Sequence, residues 1–221
     1  MMDPSSIKNI FWDVDGVLAD LNHAYYHFLI GHPNYRDQFK GLKWEQLPEV
    51  LPILPEYGAL ELKTHPELGT EMDRDFCSNQ DFFRNRPLYP EVIEVLKELN
   101  QLGYRQFTMS ATFDVEAKMA YLQDILDPVT DFLTIECVQH GEFMHDTAKI
   151  DRLRHCYQKY DLNPNQTILV DDRIYNQNAA IESGAHPIRM RCEFTTDLST
   201  ELSWVPEFRN VREVMEWLLQ K

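Results

Sequence analysis

The apolar positions of this chain change their period several times, which predicts strands that alternate with helices. Residues 7–14, IKNIFWDV, form a largely apolar run typical of a buried strand. From Leu18 onward the apolar residues recur every three or four positions, which indicates a helix. Because strands alternate with helices, we expect an α/β fold, a Rossmann-like parallel sheet covered on both faces. The later predicted strands are YRQFTMS (104–110), FLTIECV (132–138), QTILV (166–170) and PIRMRC (187–192).

Capping residues mark where the helices begin and end. The run YPEVIEVLKELNQLG predicts a helix with Pro90 in its first turn and Gly103 just after its last. Asp114 is predicted to cap the helix that follows the second strand. The helix predicted over YPEVIEVLKELNQLG has an apolar stripe that consists of Val92, Val95, Leu96, Leu99 and Leu102. The remaining helices are predicted to run from a cap at Asp146 or Thr147 to Tyr160, over residues 176–184, and over NVREVMEWLLQ (210–220).

The segment between the first two predicted strands differs from the rest of the chain. From about Gly31 to Pro87 it is rich in proline and contains short helical patterns instead of strands. We interpret residues 20–87 as an inserted helical cap subdomain. Residues 1–19 together with 88–221 would then form the α/β core.

Composition narrows the range of partners. The formal net charge is −15, so the chain lacks the basic surface that a nucleic-acid polymer requires. No apolar run is long enough to span a bilayer, and the N-terminus lacks the pattern of a signal peptide. Four widely spaced cysteines without a CxxC pair indicate reduced thiols. We therefore expect a cytoplasmic protein with neither nucleic-acid polymers nor membranes among its partners.

Polar residues follow three of the predicted strands. Asp13 and Asp15 come after the first, Ser110 after the second, and Asp171 and Asp172 after the fourth. In a parallel sheet the carboxyl ends of the strands lie at one edge, where ligands bind.

A lysine supplies the positive side chain that this edge needs. Lys149 falls in the first turn of its predicted helix, where the helix dipole disfavours a cation, so its place is better explained by a nearby anion or carboxylate. Several carboxylates at one edge also favour a hard divalent cation with oxygen ligands, for which Mg²⁺ fits best.

These groups suit phosphoryl transfer. A carboxylate is a competent nucleophile toward a phosphoryl group whose charge is neutralised, so Asp13 would form an aspartyl-phosphate. Asp15 would act as the general acid toward the leaving oxygen, and then as the base that deprotonates water. Gly16 permits the tight turn, and Ser110 can donate a hydrogen bond to a phosphate oxygen.

The ordered set resembles the four motifs of the haloacid dehalogenase superfamily: DVDGV, a serine after the second strand, a helix-opening lysine, and VDDRIYN. The resemblance covers about residues 1–20 and 88–195. It implies a phosphatase of small phosphorylated metabolites, with Mg²⁺ bound by Asp13, the backbone carbonyl of Asp15 and Asp172. It further implies that Asp171 orients Lys149 or a metal-bound water and that Asn176 supports the loop. The insertion resembles the small helical cap of the family's first cap class.

Other functions stay open at the level of the sequence. A phosphomutase would use the same residues as a phosphatase. The run FFRNRPLYPEVIEVLKEL and the DGVLAD opening also resemble 5′(3′)-deoxyribonucleotidases, which would make the substrate a nucleotide. A phosphoacceptor signalling module of the receiver type combines similar residues, but in it the acidic pair ends the first strand, whereas here the adjacent pair Asp171 and Asp172 comes last. In the cap, Lys63, Arg84 and Arg86 are candidate contacts for a substrate anion.

Overall fold

The structure is a computed structural model that describes residues 2–46, 75–76, 86–112, 114–139, 148–191 and 202–220. Among these residues, no helix has the length and apolar character needed to cross a bilayer. Cys137 and Cys156 are buried free thiols, and Cys77 and Cys192 lie outside the described residues.

A parallel sheet forms the centre of the fold. Its strand order is β4-β2-β1-β6-β7-β8, with every neighbouring pair parallel, and β3 pairs separately with β5, also in parallel. The α/β fold with a parallel sheet is therefore confirmed. The strands are β1 Asn9–Trp12, β2 Arg105–Thr108, β3 Ser110–Thr112, β4 Leu133–Thr134, β5 Cys137–Gln139, β6 Thr167–Asp171, β7 His186–Met190 and β8 Glu207–Phe208.

Two predicted strands are each interrupted. The run 104–110 divides into β2 and β3, and the run 132–138 divides into β4 and β5. At the break the Thr108 hydroxyl donates to the Glu136 carbonyl (3.0 Å) and accepts from the Glu136 amide (2.9 Å). A side chain thus replaces the main-chain ladder for one step. The short edge strand β8 was not predicted.

Helices cover both faces of the sheet. They are α1 Leu21–Gly31, α2 Val92–Gln101, α3 Val115–Ile125, α4 Ala148–Tyr160, α5 Ile174–Ser183 and α6 Val211–Leu218. The Asp114 carboxylate caps α3 as predicted, accepting from the Ala117 amide. The predicted caps of α4, Asp146 and Thr147, lie outside the described residues.

The prediction that Leu102 belongs to the apolar stripe of α2 is wrong. Leu102 is 50% exposed, because α2 ends at Gln101 and the chain turns away at Gly103 with a φ of +87°. The other four members of the stripe are buried.

The apolar core lies in two layers, one on each face of the sheet. In β1, Ile10 and Trp12 pack with residues of α2 and α6, whereas Phe11 points to the other face and packs with Leu153 of α4 and Ala180 of α5. Alternate side chains of a strand point to opposite faces, so a strand buried on both sides is apolar throughout. This explains the apolar run 10–12 before Asp13.

The chain leaves and re-enters the core at one place beside the end of β1. Ala19 forms an antiparallel bridge with Leu88, and the Asp20 amide donates to the Pro87 carbonyl (2.9 Å). Asp20 also caps α1 by accepting from the His23 amide. Residues 47–74 and 77–85 lie outside the described residues, so the helical cap over 20–87 stays a prediction.

Candidate active site

Three strand ends bring the acidic residues and the serine to one edge of the sheet. The Asp13 amide continues the β1–β6 ladder by donating to the Val170 carbonyl (2.8 Å). This places Asp13 beside Asp171, the last residue of β6, and Asp172, which follows it. Ser110 begins β3 at the same edge, and its amide contacts the Glu136 carbonyl (3.4 Å).

Lys149 connects the two acidic strand ends. Its Nζ lies 3.1 Å from Asp13 Oδ1 and 2.7 Å from Asp171 Oδ2, and its side chain is buried. It occupies the first turn of α4, as predicted. Although burial lowers the pKa of Lys149, the charges of Asp13 and Asp171 outweigh it and raise that pKa. The lysine is therefore a fixed cation in the centre of the site.

The carboxylates of Asp13, Asp171 and Asp172 form a cluster that suits a metal ion. One oxygen from each lies within 4.8 Å of the others, and all three residues are buried. Burial is the main cause of a pKa raised to about 8 for Asp13 and to about 6 for Asp172. Neighbouring carboxylates act in the same direction, and the positive charges of Lys149 and Arg173 oppose them. Such a cluster is stabilised by a cation with a preference for oxygen ligands.

Three buried side-chain oxygens have no hydrogen-bond partner among the residues that the structure describes: Asp172 Oδ1, Ser110 Oγ and Gln177 Oε1. The first two belong to the predicted site. Buried polar atoms are normally paired, so an unpaired one indicates a ligand position. A carboxylate oxygen fits a divalent cation, and a hydroxyl fits an anionic oxygen. The residues present thus fit a divalent cation together with an anionic group.

Both carboxylate oxygens of Asp171 accept hydrogen bonds from protein donors. Lys149 contacts Oδ2, while Oδ1 accepts from the Asn176 side chain (2.9 Å) and from the Arg173 amide (2.9 Å). The Gln177 side chain also donates to the Asp171 carbonyl (2.7 Å). Asp171 thus contacts both Lys149 and Asn176, while the roles predicted for Asp171, orienting Lys149 or a metal-bound water, and for Asn176, supporting the loop, stay predictions.

A comparison with models of known protein families identifies the family of this chain. The family model described as "haloacid dehalogenase-like hydrolase" matches residues 7–184, a span that includes every acidic residue, the serine and the lysine described above. The chain belongs to the haloacid dehalogenase-like hydrolases.

Solved structures share the fold of this hydrolase at low sequence identity. A haloacid dehalogenase-like hydrolase from Streptococcus pneumoniae is 19% identical with a TM-score of 0.59, covering 96% of this chain and 98% of that one. A predicted phosphatase from Clostridium acetobutylicum is 15% identical (TM-score 0.61, 97% and 99% covered). A HAD-superfamily hydrolase from Ehrlichia chaffeensis is 16% identical (TM-score 0.64, 100% and 98% covered). A search of the curated proteins found no significant match.

Sequence reasoning missed the partners of Asp15 in this hydrolase. Arg86 Nη1 contacts Asp15 Oδ1, and Lys118 Nζ lies 2.6 Å from Asp15 Oδ2. Lys118 lies on the buried face of α3 with Tyr121 and Leu122. A lysine within an apolar stripe was the signal that could have revealed it. Arg86 was predicted as a substrate contact, but it is buried against Asp15.

The other two candidate substrate contacts, Lys63 and Arg84, lie outside the described residues.

Gly16 is expected to be essential for the geometry of the site. Its φ is +82°, and an added Cβ would lie 2.9 Å from Asp172 Oδ2. Gly16→Ala should therefore lower the free energy of unfolding by about 1–3 kcal/mol and displace Asp172. Hydrolytic activity should fall about 100-fold, since a displacement near 1 Å has that effect. Urea unfolding and steady-state kinetics measure the two effects.

Gly103→Ala is the matched control, because Gly103 has a φ of +87° and no atom of the described residues lies within 4 Å of an added Cβ. It should lose stability and keep its activity. Equal activity of the two variants would show that the contact between Gly16 and Asp172 is unimportant.

Proposed function

We propose that this hydrolase is a Mg²⁺-dependent phosphatase that acts on a small phosphorylated metabolite through an aspartyl-phosphate on Asp13. The observation that carries the proposal is a pair of buried oxygens, Ser110 Oγ and Asp172 Oδ1, that have no partner within the described part of the chain and belong to the same site as the Asp13–Lys149 ion pair. In this proposal the Ser110 hydroxyl donates to a phosphoryl oxygen and Asp172 Oδ1 binds a cation.

Binding of the phosphoryl group would use the ammonium of Lys149 and the hydroxyl of Ser110. Lys149 neutralises negative charge on the phosphoryl oxygens, and Ser110 donates a hydrogen bond to one of them. Asp13, the backbone carbonyl of Asp15 and Asp172 would hold Mg²⁺, which would withdraw charge from the phosphoryl group and reduce repulsion of the nucleophile.

Two displacement steps follow from the positions of the aspartates. In the first, a carboxylate oxygen of Asp13 forms a bond to phosphorus while the bond from phosphorus to the leaving oxygen breaks, and Asp15 passes to that oxygen the proton that the monoanionic phosphate ester brings. In the second, Asp15 takes a proton from water, the water oxygen attacks phosphorus, and the bond to Asp13 breaks. Inorganic phosphate is released, and Asp13 is again a carboxylate.

Asp15 has the ionisation state that the second step needs. Burial alone would raise its pKa, but the charges of Arg86 and Lys118 outweigh burial and hold the pKa of Asp15 well below its usual range. The resting side chain is therefore a carboxylate, the form that takes the proton of the monoanionic ester in the first step and a proton from water in the second.

The segment 20–87 is proposed to cap the site and to select the substrate. Its two connections to the core, at Ala19 and Leu88, pair with each other close to Asp15. Within it, Tyr25, Phe28 and Phe76 form an aromatic cluster, with the rings of Tyr25 and Phe76 stacked at 3.7 Å. A lid at this place would exclude water and contact the leaving group.

The test is hydrolysis of a panel of phosphorylated metabolites, including nucleotides and sugar phosphates, with p-nitrophenyl phosphate as the generic ester. Activity should require Mg²⁺, disappear with EDTA, and return when Mg²⁺ is restored. Mn²⁺ or Co²⁺ should substitute because the ligands are oxygens, whereas Ca²⁺ should bind without supporting turnover. Full activity in protein verified as free of metal would contradict the proposal, and transfer of phosphate to a second position of the substrate would identify a mutase.

A further inference from the structure

Asp15 is contacted by two buried cations, one on each carboxylate oxygen. Arg86 Nη1 contacts Oδ1, and Lys118 Nζ contacts Oδ2 at 2.6 Å. The side chains of Arg86 and Lys118 are 3% and 0% exposed, whereas that of Asp15 is 22% exposed. Asp15 is therefore the accessible member of the three, and the cations lie behind it.

Both cations are themselves held by aromatic residues. The guanidinium of Arg86 lies over the ring of Phe76, 5.2 Å from its centroid, and the Lys118 ammonium lies 5.4 Å from the centroid of Tyr121. The Tyr121 hydroxyl also donates to the backbone carbonyl of Arg86 (2.7 Å). Arg86, Lys118 and Tyr121 therefore form one unit, connected by these contacts, around Asp15.

Stability alone is a poor explanation for this unit. Burying two cations costs desolvation energy, and one carboxylate returns only part of it, since a buried ion pair is on balance a weak source of stability. Burial and the nearby Arg86 guanidinium also lower the pKa of Lys118, against the raising effect of Asp15. Contacts on both oxygens do, however, fix the plane of the carboxylate, which a single contact leaves free to rotate.

We propose that Arg86 and Lys118 are positioning residues that fix the carboxylate plane of Asp15 toward the oxygen that leaves or enters during phosphoryl transfer. This inference rests on the proposed function, because it assigns a task to the proposed acid and base of that reaction. Proton transfer from a side chain depends on its alignment with the reacting oxygen, and small displacements reduce the rate strongly.

The test compares two esters that differ in their need for a proton. An alkyl phosphate needs the acid, whereas p-nitrophenolate leaves without one. Because kcat/KM reports only the steps up to formation of the aspartyl-phosphate, it is insensitive to the later base step. Lys118→Met should lower kcat/KM about 10- to 100-fold for the alkyl ester and less than about threefold for p-nitrophenyl phosphate. Asp15→Asn should show the same selectivity, and the double variant should lose little more than Asp15→Asn alone.

The controls separate positioning from general damage. Lys97→Met, on the exposed face of α2, should leave both esters unaffected. Arg86→Lys keeps the charge but loses the planar donor group, and it should repeat the selective loss, which makes the test independent of whether Lys118→Met folds. Equal losses on both esters, or full additivity with Asp15→Asn, would overturn the inference.

A crystal structure gives a readout that does not depend on activity. In Lys118→Met the Asp15 carboxylate should rotate away from its wild-type orientation. If wild-type protein hydrolyses no phosphate ester, the proposed function fails, and the orientation of Asp15 still decides the positioning claim. An unchanged orientation in this variant and in Arg86→Lys would overturn it.

Discussion

Asp13→Asn is expected to reduce kcat for p-nitrophenyl phosphate by about 10⁴-fold or more, because removing the nucleophile eliminates the covalent route. An amide oxygen is a poor nucleophile toward phosphorus, and the shape of the side chain is otherwise kept. The measurement is steady-state hydrolysis at saturating Mg²⁺. Asp124→Asn, which alters an exposed carboxylate of α3, is the matched control and should be fully active.

The same substitution should not destabilise the protein in the absence of metal. Burial raises the folded-state pKa of Asp13 to about 8, above its unfolded value, so the folded protein binds a proton that the unfolded chain has lost. The stability from this group is complete below the unfolded pKa and is lost as the pH rises to about 8. The asparagine side chain does not ionise, so Asp13→Asn avoids this pH-dependent loss of stability.

Urea unfolding in EDTA should therefore show that Asp13→Asn gains stability relative to wild type between pH 5 and pH 8. Near-normal turnover by the variant would contradict the covalent mechanism, whereas a collapse of its stability at pH 8 would contradict the account of the buried charge.

The positions of most site residues follow from the topology of the parallel sheet, which the order of apolar and polar residues predicts. Asp13, Ser110 and Asp172 each come directly after or near the end of an apolar run, and a parallel sheet gathers such positions at one edge. Lys149 was predicted to lie in the first turn of the helix that a cap at Asp146 or Thr147 would begin. Neither prediction depends on contacts between residues that are distant in the sequence. The local sequence pattern was therefore sufficient for both.

The contacts of Asp15 could not be derived in this way. Arg86 lies 71 positions and Lys118 lies 103 positions away in the sequence, and no local period connects them to a turn after β1. The break between β2 and β3 was missed for a similar reason, because it depends on the Thr108 hydroxyl meeting Glu136, 28 residues later. Periodicity reports burial along one element, whereas these features depend on which side chain lies opposite.

Glu136 shows how such a missed contact supports the site. Its buried carboxylate contacts Arg152, Lys159 and Tyr160 of α4, and its carbonyl accepts from the Ser110 amide. Although burial would raise its pKa, these partners lower the pKa of Glu136. The cluster therefore ties the helix that carries Lys149 to the strand that begins with Ser110.

Lys149→Met is expected to affect both activity and stability strongly. Loss of the ammonium leaves Asp13 and Asp171 without their shared cation, and removing one partner of a buried ion pair costs about 3–5 kcal/mol. Loss of a group that stabilises charge on the transferred phosphoryl should lower kcat about 10²- to 10³-fold. Urea unfolding in EDTA and kinetics in Mg²⁺ measure the two effects, and Lys97→Met is the matched control.

Mg²⁺ distinguishes a local electrostatic role of Lys149 from general packing. Without the lysine the carboxylate cluster carries more uncompensated negative charge, so a cation that binds only the folded state should raise the Tm of Lys149→Met by more than that of wild type. Activity should nevertheless stay low, because the cation cannot replace the ammonium beside Asp13. A variant that keeps more than about a tenth of wild-type kcat would contradict the proposed role, since the expected loss is at least about 10²-fold. A Tm that does not respond to Mg²⁺ would show that the cluster of Asp13, Asp171 and Asp172 is not a metal site.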